Sequence, residues 1–575
     1  MKNFFIRIAV IVIVLSVHIC NATIAETIVI AENMYAIDET KKLVLVNQDV
    51  ATINLQWPNQ KTGIILNDFY TFSEEISTVQ IGVAYQAVKS SVNYTIYFSQ
   101  LPIIRIYNQG PIYDDPKVLA EFIMTETDQT TISSFVGIEL RGNTSLWWDK
   151  HNYLIEFWTD AQGANTHDVS LLGMRSDDDW NLQSLYNEPL RIRSVSTNDL
   201  WMNFGSLYYQ QIEPEAKPGI VMKYAELFLN GRYKGIYAVS ERVDRKLLQI
   251  KKYDEDDDEI RGELYKGTEW ANGTLFNYAD DFDNQSAYWS GFEYEYPEEL
   301  IDWYYLHDFV DFVVNSTNDE FYATYESKFD VQSAIDYYIL MNVSVAVDNR
   351  GKNIFIARYD AGEPYFYVPW DLDGVFGIMW DGTNTSPNAG LLSNGLYDRM
   401  LCDCDPNGFN QRMKSRWLEL RESEITHESI MNIFETNYNY LLTNGAYERE
   451  QIAWTTFSYG QSKLDYISQW TTIRLDYLDM RFAEPCVPAG IHAAADDNDF
   501  AMYPNPASDK VYITTNSGRN YYSVVVNDYS GKTVLQSAIH TNPAVLDVSV
   551  LQPGLYIVQL ISDNGTAIRK LIVNR

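Results

Sequence analysis

The sequence is poor in basic residues and has no long apolar run beyond its N-terminus. Lys and Arg number 43 against 78 Asp and Glu, which gives a formal net charge of −35 over 575 residues. This excess of negative charge argues against nucleic acid or an anionic membrane as a partner, because their phosphates would be repelled. No later stretch approaches the roughly 20 apolar residues of a membrane span. The length predicts about three or four domains.

Cysteine is also scarce, and the few present do not form a complete disulfide framework. Cys402, Cys404 and Cys486 follow the N-terminal segment. Because their number is odd, at least one thiol is free or pairs between chains. A bridge from Cys402 or Cys404 to Cys486 would close a long loop and suits an exported protein. A zinc site is not expected, because no histidine lies near the close pair.

The N-terminus has the pattern of a secretory signal peptide at residues 1–25. Lys2 and Arg7 form a charged region, residues 8–19 are largely apolar, and small residues end at Ala25. We expect cleavage near Ala25. The mature protein is then exported, and it is either soluble or attached by something other than a helix.

Changes of pattern along the chain predict an α+β protein of several domains. Residues 26–98 contain five alternating runs, including ATINLQW, and predict an N-terminal antiparallel β domain. Residues 99–485 mix strand and helix patterns. Small and acidic residues at 486–498 predict a linker. Regular short strands at 499–575 predict a C-terminal β-sandwich.

The most informative stretch is residues 347–377, where NIFIARY and PYFYVPW flank a DAGE turn and predict a β-hairpin. Asp348 lies at its entry and Asn353 five residues later, while Asp371 and Asp373 lie at its exit. Hard divalent cations prefer such oxygen ligands, and the following glycine lets the backbone bend closely around an ion. Taken alone, the pattern is more typical of solvated turn acids.

A second candidate segment is RGNTSLWWDK, in which Arg141 and Lys150 bracket a turn. Gly142 permits close backbone approach, and the two cations suit phosphate oxygens. The segment has neither P-loop spacing nor the kinase glycine pattern. A structural ion pair is the simpler interpretation of the two cations.

The tail resembles the type A C-terminal sorting domain of the type IX secretion system. The resemblance rests on YPNP at 503–506, an Asp528–Lys532 turn, LQPGLY at 551–556 and the closing KLIV at 570–573. It implies a Bacteroidota-type protein carried across the outer membrane by the type IX machinery, with the tail as its address. The expected location is therefore outside the cell or on its outer surface.

Residues 101–485 resemble the spore-coat protein H (CotH) kinase-like family through a series of short motifs in the family's order. These are LPII at 101–104, RGNTS at 141–145, LLG at 171–173, PLR at 189–191, NG at 230–231, ERVD at 241–244, the Asp348…Asn353 pair, PWDLD at 369–373 and RW at 416–417. The resemblance implies an atypical protein-kinase-like fold that binds ATP and magnesium.

The resemblance also implies roles for the hairpin residues. Asp348 would orient the attacking hydroxyl group, and Asn353 and Asp371 would be metal ligands, with Asp373 assisting. These roles suit phosphoryl transfer, which needs a positioned metal ion, cations around the phosphates and one carboxylate at the nucleophile.

Four charged residues outside the hairpin complete the implied site. Lys150 would meet the α- and β-phosphates, with Arg141 or Arg191 as further phosphate partners. Glu241 would orient Lys150. The residues after Asp348 (Asn-Arg-Gly-Lys) depart from many relatives, which place a His or another polar residue just before the Asn.

The sequence thus supports a secreted ATP- and Mg²⁺-dependent kinase acting on Ser or Thr of an exported protein. The alternative is a catalytically silent surface adhesion protein on a kinase-like scaffold, as in fungal relatives that serve as invasins. Retention of Asp348, Asn353 and Asp371 favours catalysis. A glycosidase with paired carboxylates is the weakest alternative, because acids are so plentiful here that pairs occur by chance.

Overall fold

The computed structural model describes residues 25–254, 256, 259–488, 500–515, 521–528, 532–539, 541–562 and 565–574. The chain divides into two compact units, one of Met1–Tyr397 with Met413–Ala483 and the other of Asp398–Arg412 with Glu484–Arg575. The predicted signal peptide before Ala25 and the predicted linker from residue 489 onward lie outside the described residues. No helix in the described ranges is long and apolar enough to cross a membrane.

The first unit begins with a seven-stranded sheet in the order β1-β4-β5-β6-β7-β3-β2. Its strands are β1 (Glu26–Val29), β2 (Tyr35–Asp38), β3 (Leu43–Val46), β4 (Lys61–Ile65), β5 (Phe69–Ile76), β6 (Ala84–Lys89) and β7 (Val92–Phe98). The β1–β4 and β3–β7 pairs are parallel. The prediction of an antiparallel domain is therefore wrong. The sheet is mixed, because the long connections from β1 to β4 and from β3 to β7 let each of these pairs run side by side in the same direction.

One run predicted as a strand, ATINLQW, is instead the helix α1 (Val50–Gln56). Asp49 caps its first turn by accepting the N–H of Thr52 at 2.7 Å. Val50 and Ile53 then form the buried side of the helix. The capping carboxylate and the helical spacing of these two apolar residues favour a helix more strongly than the alternation of apolar and polar residues favours a strand.

Seven further strands close a barrel in the order β10-β11-β14-β16-β15-β8-β9. The predicted Asn230-Gly231 turn joins β15 to β16 and is confirmed. Phe122, Phe157 and Trp180 are among the apolar side chains that fill the barrel core. The bounds are β8 (Ile103–Asn108), β9 (Val118–Thr125), β10 (Thr131–Arg141), β11 (Asn152–Trp158), a separate ribbon of β12 (Val169–Ser170) and β13 (Ser176–Asp177), β14 (Asp179–Gln183), α2 (Arg193–Phe204), β15 (Met222–Leu229) and β16 (Arg232–Ser240).

A five-stranded sheet in the order β18-β19-β17-β20-β21 follows. The predicted central hairpin is confirmed as its edge pair, and every residue of β20 and β21 is buried. The bounds are α3 (Arg245–Leu248), β17 (Glu263–Gly267), β18 (Tyr288–Trp289), β19 (Phe292–Tyr296), α4 (Tyr304–Asn315), α5 (Asn318–Lys328), α6 (Val331–Ser344), β20 (Ile354–Arg358) and β21 (Tyr365–Pro369).

Five helices follow the hairpin: α7 (Gly395–Met400), α8 (Phe409–Arg421), α9 (His427–Thr443), α10 (Ala446–Ala453) and α11 (Gln461–Phe482). In the first unit, α9 packs on α2 and α11, and α6 packs on β21 and α11. Helix α10 packs on β16, which brings a late segment of the chain against the barrel.

The second unit contains the disulfide and the C-terminal strands. The sequence predicts a bridge to Cys486 from either Cys402 or Cys404. The structure contains the Cys404–Cys486 bridge, and Cys402 is a free thiol. Two sheets, β22-β23-β26 and β25-β24-β27-β28, share one apolar core. Their strands are β22 (Phe500–Tyr503), β23 (Lys510–Thr515), β24 (Tyr521–Asn527), β25 (Thr533–Ala538), β26 (Ala544–Asp547), β27 (Gly554–Ser562) and β28 (Gly565–Val573).

Candidate functional site

Three carboxylates meet at the ends of the β20–β21 hairpin. Asp348 begins a single 3₁₀ turn just after α6, and Asp371 and Asp373 follow β21. Burial raises the pKa of Asp348, and the charge of Asp371 raises it further. Burial also raises the pKa of Asp373 well above its usual range, with added contributions from Asp371 and Asp348. The structure thus brings the three predicted carboxylates within electrostatic range of one another.

Asn349 ties the two ends of the hairpin together. Its Nδ2 donates to the carbonyl oxygens of Asn353 at 2.7 Å and Trp370 at 2.9 Å. The Tyr337 hydroxyl in turn donates to the Asn349 carbonyl oxygen at 2.9 Å. Sequence reasoning missed this buried residue, and its place next to Asp348 is the only signal that could have found it.

Both ends of the hairpin have an unusual backbone. Asn353 has a φ of 56° and Asp371 a φ of 52°, in the left-handed region. Asn and Asp adopt this conformation more readily than most residues, yet it still costs about 1 kcal/mol each. Such conformations are concentrated at ligand sites, where the surrounding structure holds them.

Arg141 is the predicted cation that lies beside the carboxylates. Its guanidinium carbon is 5.1 Å from the centre of the Trp370 ring, next to Asp371. Burial lowers the pKa of Arg141, and the charge of Asp371 opposes that shift. This contact places a positive charge beside the carboxylates, in addition to Lys352, whose Nζ lies 3.9 Å from Asp348 Oδ2.

Asn187 connects the carboxylates to a cleft. Its Nδ2 donates to Asp373 Oδ2 and to the Trp380 carbonyl oxygen, both at 2.7 Å. Asn187 and Trp380 also line a cleft of about 430 Å³, whose other aromatic walls and basic groups are Trp148, Tyr186, Phe457, Arg191 and Lys463. Asn187 was not predicted from the sequence, and no local pattern distinguishes it.

Lys150 is fully buried in an ion pair. Its Nζ donates to Glu450 Oε1 at 2.7 Å and to the Ile236 carbonyl oxygen at 2.6 Å. Burial lowers the pKa of Lys150 to about 7, although the charge of Glu450 opposes this shift. The Lys150 ammonium therefore already has two acceptors within the protein, the Glu450 carboxylate and the Ile236 carbonyl oxygen.

Arg191 shares the same carboxylate. Its Nε donates to Glu450 Oε1 at 3.0 Å, and its Nη1 donates to the carbonyl oxygens of Leu185 at 2.7 Å and Glu188 at 2.9 Å. Arg191 also lines the cleft. Glu450 thus joins two predicted cations, although sequence reasoning missed it because it lies 300 residues from Lys150.

Glu241 does not pair with Lys150 as the sequence had suggested. It follows the end of β16, where its Oε1 accepts from Lys217 Nζ at 2.6 Å and its Oε2 from the N–H of Val221 at 2.9 Å. Lys150 instead contacts Ile236 in the middle of that strand. The pairing expected between Glu241 and Lys150 is replaced by the ion pair with Glu450.

A separate acidic group at Asp168, Asp177 and Asp178 has the spacing of metal ligands. Lys246 Nζ lies 3.1, 3.0 and 2.8 Å from their carboxylate oxygens. The Lys246 ammonium therefore already lies among these carboxylates, where a metal ion would otherwise bind.

The fold and the site together define a mixed α+β protein with a carboxylate centre at the edge of a cleft. The family model described as CotH kinase protein matches residues 138–478, more than half of the chain, and the chain belongs to this family. The model for a secretion system C-terminal sorting domain matches residues 501–574, which marks the chain for secretion to the cell surface or beyond. A comparison with curated proteins found no match.

Proposed function

We propose that the chain is a secreted kinase that transfers the γ-phosphoryl group of ATP to a Ser or Thr hydroxyl of an exported protein. The membership in the CotH kinase family supports nucleotide-dependent phosphotransfer. In this proposal residues 99–485 are a kinase-like domain, flanked by the N-terminal β domain and by the sorting domain at 499–575.

The observation that carries the proposal is the meeting of Asp348, Asp371 and Asp373 beside the cleft. Electrostatic coupling links the three carboxylates, and Asn187 links Asp373 to the cleft wall. Phosphoryl transfer needs this combination, because a nucleotide must lie next to both a metal site and a group that orients the acceptor.

The donor set fits Mg²⁺. Asp371, Asp373 and Asn353 would hold the ion, since it takes oxygen ligands. Burial raises the pKa of Asp373, and repulsion from Asp371 and Asp348 raises it further; a bound cation would counteract both effects. When bound, the metal would neutralise charge on the phosphates.

The chain's own groups supply the remaining requirements. The Asp348 carboxylate would accept a hydrogen bond from the acceptor hydroxyl and receive its proton, and its raised pKa makes it a better base. Arg141, beside Asp371, would pair with a phosphate oxygen. Arg191 would do so from the cleft wall, and the Lys150–Glu450 pair would fix its position.

One observation favours the second candidate, a surface binding protein on a kinase-like scaffold. Lys150 is fully buried, and Glu450 and the Ile236 carbonyl oxygen already accept from it. A lysine in this state would have to exchange a protein partner for a phosphate. The scaffold function requires no such exchange.

The proposal is tested by incubating the full chain with labelled ATP, Mg²⁺ and a set of exported proteins. Asp348→Asn should reduce label transfer by about 10²- to 10⁴-fold, the range typical of a lost general base. Asp360→Asn is the matched control, because Asp360 pairs with Arg261 at the opposite end of the same hairpin. Absence of transfer by the unmodified chain, or equal transfer by Asp348→Asn, would refute kinase activity.

A further inference from the structure

We propose that the N-terminal β domain is a positioning element of the candidate site. It contacts helix α10 and thereby holds the Glu450 carboxylate against Lys150 and Arg191. The proposal rests on the proposed function only in treating these two cations as part of the nucleotide site.

The first contact is at the N-terminus of α10, where two glycines from distant parts of the chain pack against each other. Gly82 and Gly445 have φ of 73° and 66°. A Cβ on Gly82 would lie 2.8 Å from Gly445 N and closer still to Thr443 O, while one on Gly445 would lie 2.5 Å from Gly82 O. Only glycine at both positions allows the two backbones to approach this closely.

The second contact is at the C-terminal end of α10. Lys41 Nζ, next to β3, donates to the carbonyl oxygen of Ile452 at 2.9 Å. The last carbonyls of a helix lack partners within the helix and attract a cation. Ile452 and Ala453 also pack on an apolar cluster that includes Leu43 and Leu45 of β3.

In the middle of the helix, Arg449 pairs with Glu226 of the barrel strand β15, and the N-terminal domain adds an aromatic contact. The Arg449 guanidinium donates to both carboxylate oxygens of Glu226, at 2.7 and 2.8 Å, and to Ser99 Oγ at 3.3 Å. Its carbon lies 5.0 Å from the centre of the Tyr97 ring in β7. Arg449 and Glu226 are fully buried, so loss of either partner would leave an unpaired charge.

The residue after Arg449 is Glu450. Its Oε1 accepts from Lys150 and Arg191, and its Oε2 accepts the N–H of Ile236 at 2.7 Å. A shift of α10 by a fraction of a turn would remove Glu450 from all three donors. The contacts with the N-terminal domain at both ends of the helix, together with the Tyr97 ring beside Arg449, oppose that shift.

The test compares Gly82→Ala with Gly110→Ala in the full chain. Gly110 also has a positive φ, of 81°, but a Cβ there would meet nothing within 4 Å. Both variants therefore share the cost of a strained backbone, and only Gly82→Ala pushes the N-terminal domain away from α10.

Hydrogen exchange of the Ile236 amide is the first measurement, because this amide donates to Glu450 whether or not a nucleotide binds. Gly82→Ala should speed its exchange by about tenfold, matching about 1.4 kcal/mol, while Gly110→Ala leaves it unchanged. Lys41→Met removes only the second contact and serves as the test if Gly82→Ala fails to fold. It should increase the exchange rate of the Ile236 amide by a smaller factor. Unchanged exchange in Gly82→Ala, or an equal change in Gly110→Ala, would overturn the proposal.

The second measurement is the affinity for Mg·ATP, which a purely structural role would leave unchanged in a folded variant. Gly82→Ala should weaken it by about tenfold or more, since small displacements of positioning groups have effects of this size. If the unmodified chain binds no ATP, the proposed function fails, while the exchange measurement still decides the role of the N-terminal domain. Faster exchange with unchanged affinity would overturn its connection to the site.

Discussion

At the residue scale, Asp373 is the carboxylate of the site whose charged form is most strongly disfavoured. Burial raises its pKa, and the charges of Asp371 and Asp348 add to the rise. The folded state therefore binds this proton more tightly than the unfolded state does. The stability gained from it is fully present below the ordinary pKa of Asp, about 3.9, and is lost as the pH rises through the raised pKa of the folded state.

Asp373→Asn should consequently raise the unfolding temperature at neutral pH by a few degrees and weaken Mg²⁺ binding. The amide removes the repulsion but keeps an oxygen that can accept from Asn187. Unfolding followed by calorimetry from pH 4 to pH 8 checks this, with Asp360→Asn as the control. A lower unfolding temperature at neutral pH would contradict the electrostatic interpretation.

Lys352 offers a test of the proposed base. Its Nζ lies 3.9 Å from Asp348 Oδ2 and opposes the rise in the pKa of Asp348 caused by burial and by Asp371. Lys352→Met should therefore shift the acid limb of the transfer rate to higher pH. The pH profile of the rate measures this directly, and an unmoved or lowered limb would exclude Asp348 as the titrating group.

At the element scale, β16 passes the candidate site where a side chain cannot be accommodated. A Cβ on Gly235 would overlap Glu450 Oε2 and lie 3.0 Å from its Cδ. Gly235→Ala should break the buried ion pairs of Glu450 and reduce the free energy of unfolding by about 3–5 kcal/mol. Denaturant unfolding measures the loss.

Gly231→Ala, at the turn before β16, is the matched control for that change. Gly231 has a positive φ of 69°, but its Cβ would meet nothing within 4 Å. The control should cost only the backbone strain of about 1 kcal/mol. Equal losses in the two variants would show that strain, and not the displaced Glu450, is responsible.

The elements that the sequence predicts well are those with strong local signals. The Asn230-Gly231 turn and the hairpin around DAGE follow from turn residues between β-rich runs. In contrast, the alternation of ATINLQW predicts a strand where α1 forms, because Asp49, which caps the helix, lies outside the alternating run. The partner of Lys150 was also missed, since pairing across 300 residues leaves no local pattern.

At the scale of the whole molecule, the sequence correctly indicated a mixed α+β chain, while the close association of the N-terminal β domain with the rest was not foreseen. The first unit includes this domain together with the barrel and α10. The connecting contacts, such as Lys41 with Ile452, join residues more than 400 positions apart. Composition and periodicity carry no information about such pairs.

The disulfide is the covalent constraint of the second unit. Cys404 and Cys486 are 82 residues apart. Closing a loop of this length restricts the unfolded chain, so Cys404→Ser with Cys486→Ser should reduce the free energy of unfolding by about 2–5 kcal/mol. Cys402→Ser is the control, because Cys402 is a free thiol. A similar loss in the control would contradict this account.

The most direct test of the central claim is calorimetric titration of the full chain with ATP, with and without Mg²⁺. It needs no acceptor protein, and it examines the carboxylate centre and the cleft together. We predict binding that depends on Mg²⁺ and is strongly weakened in Asp371→Asn but not in Asp360→Asn. Absence of ATP binding, or binding unaffected by both Mg²⁺ and Asp371→Asn, would contradict the account and favour the surface scaffold.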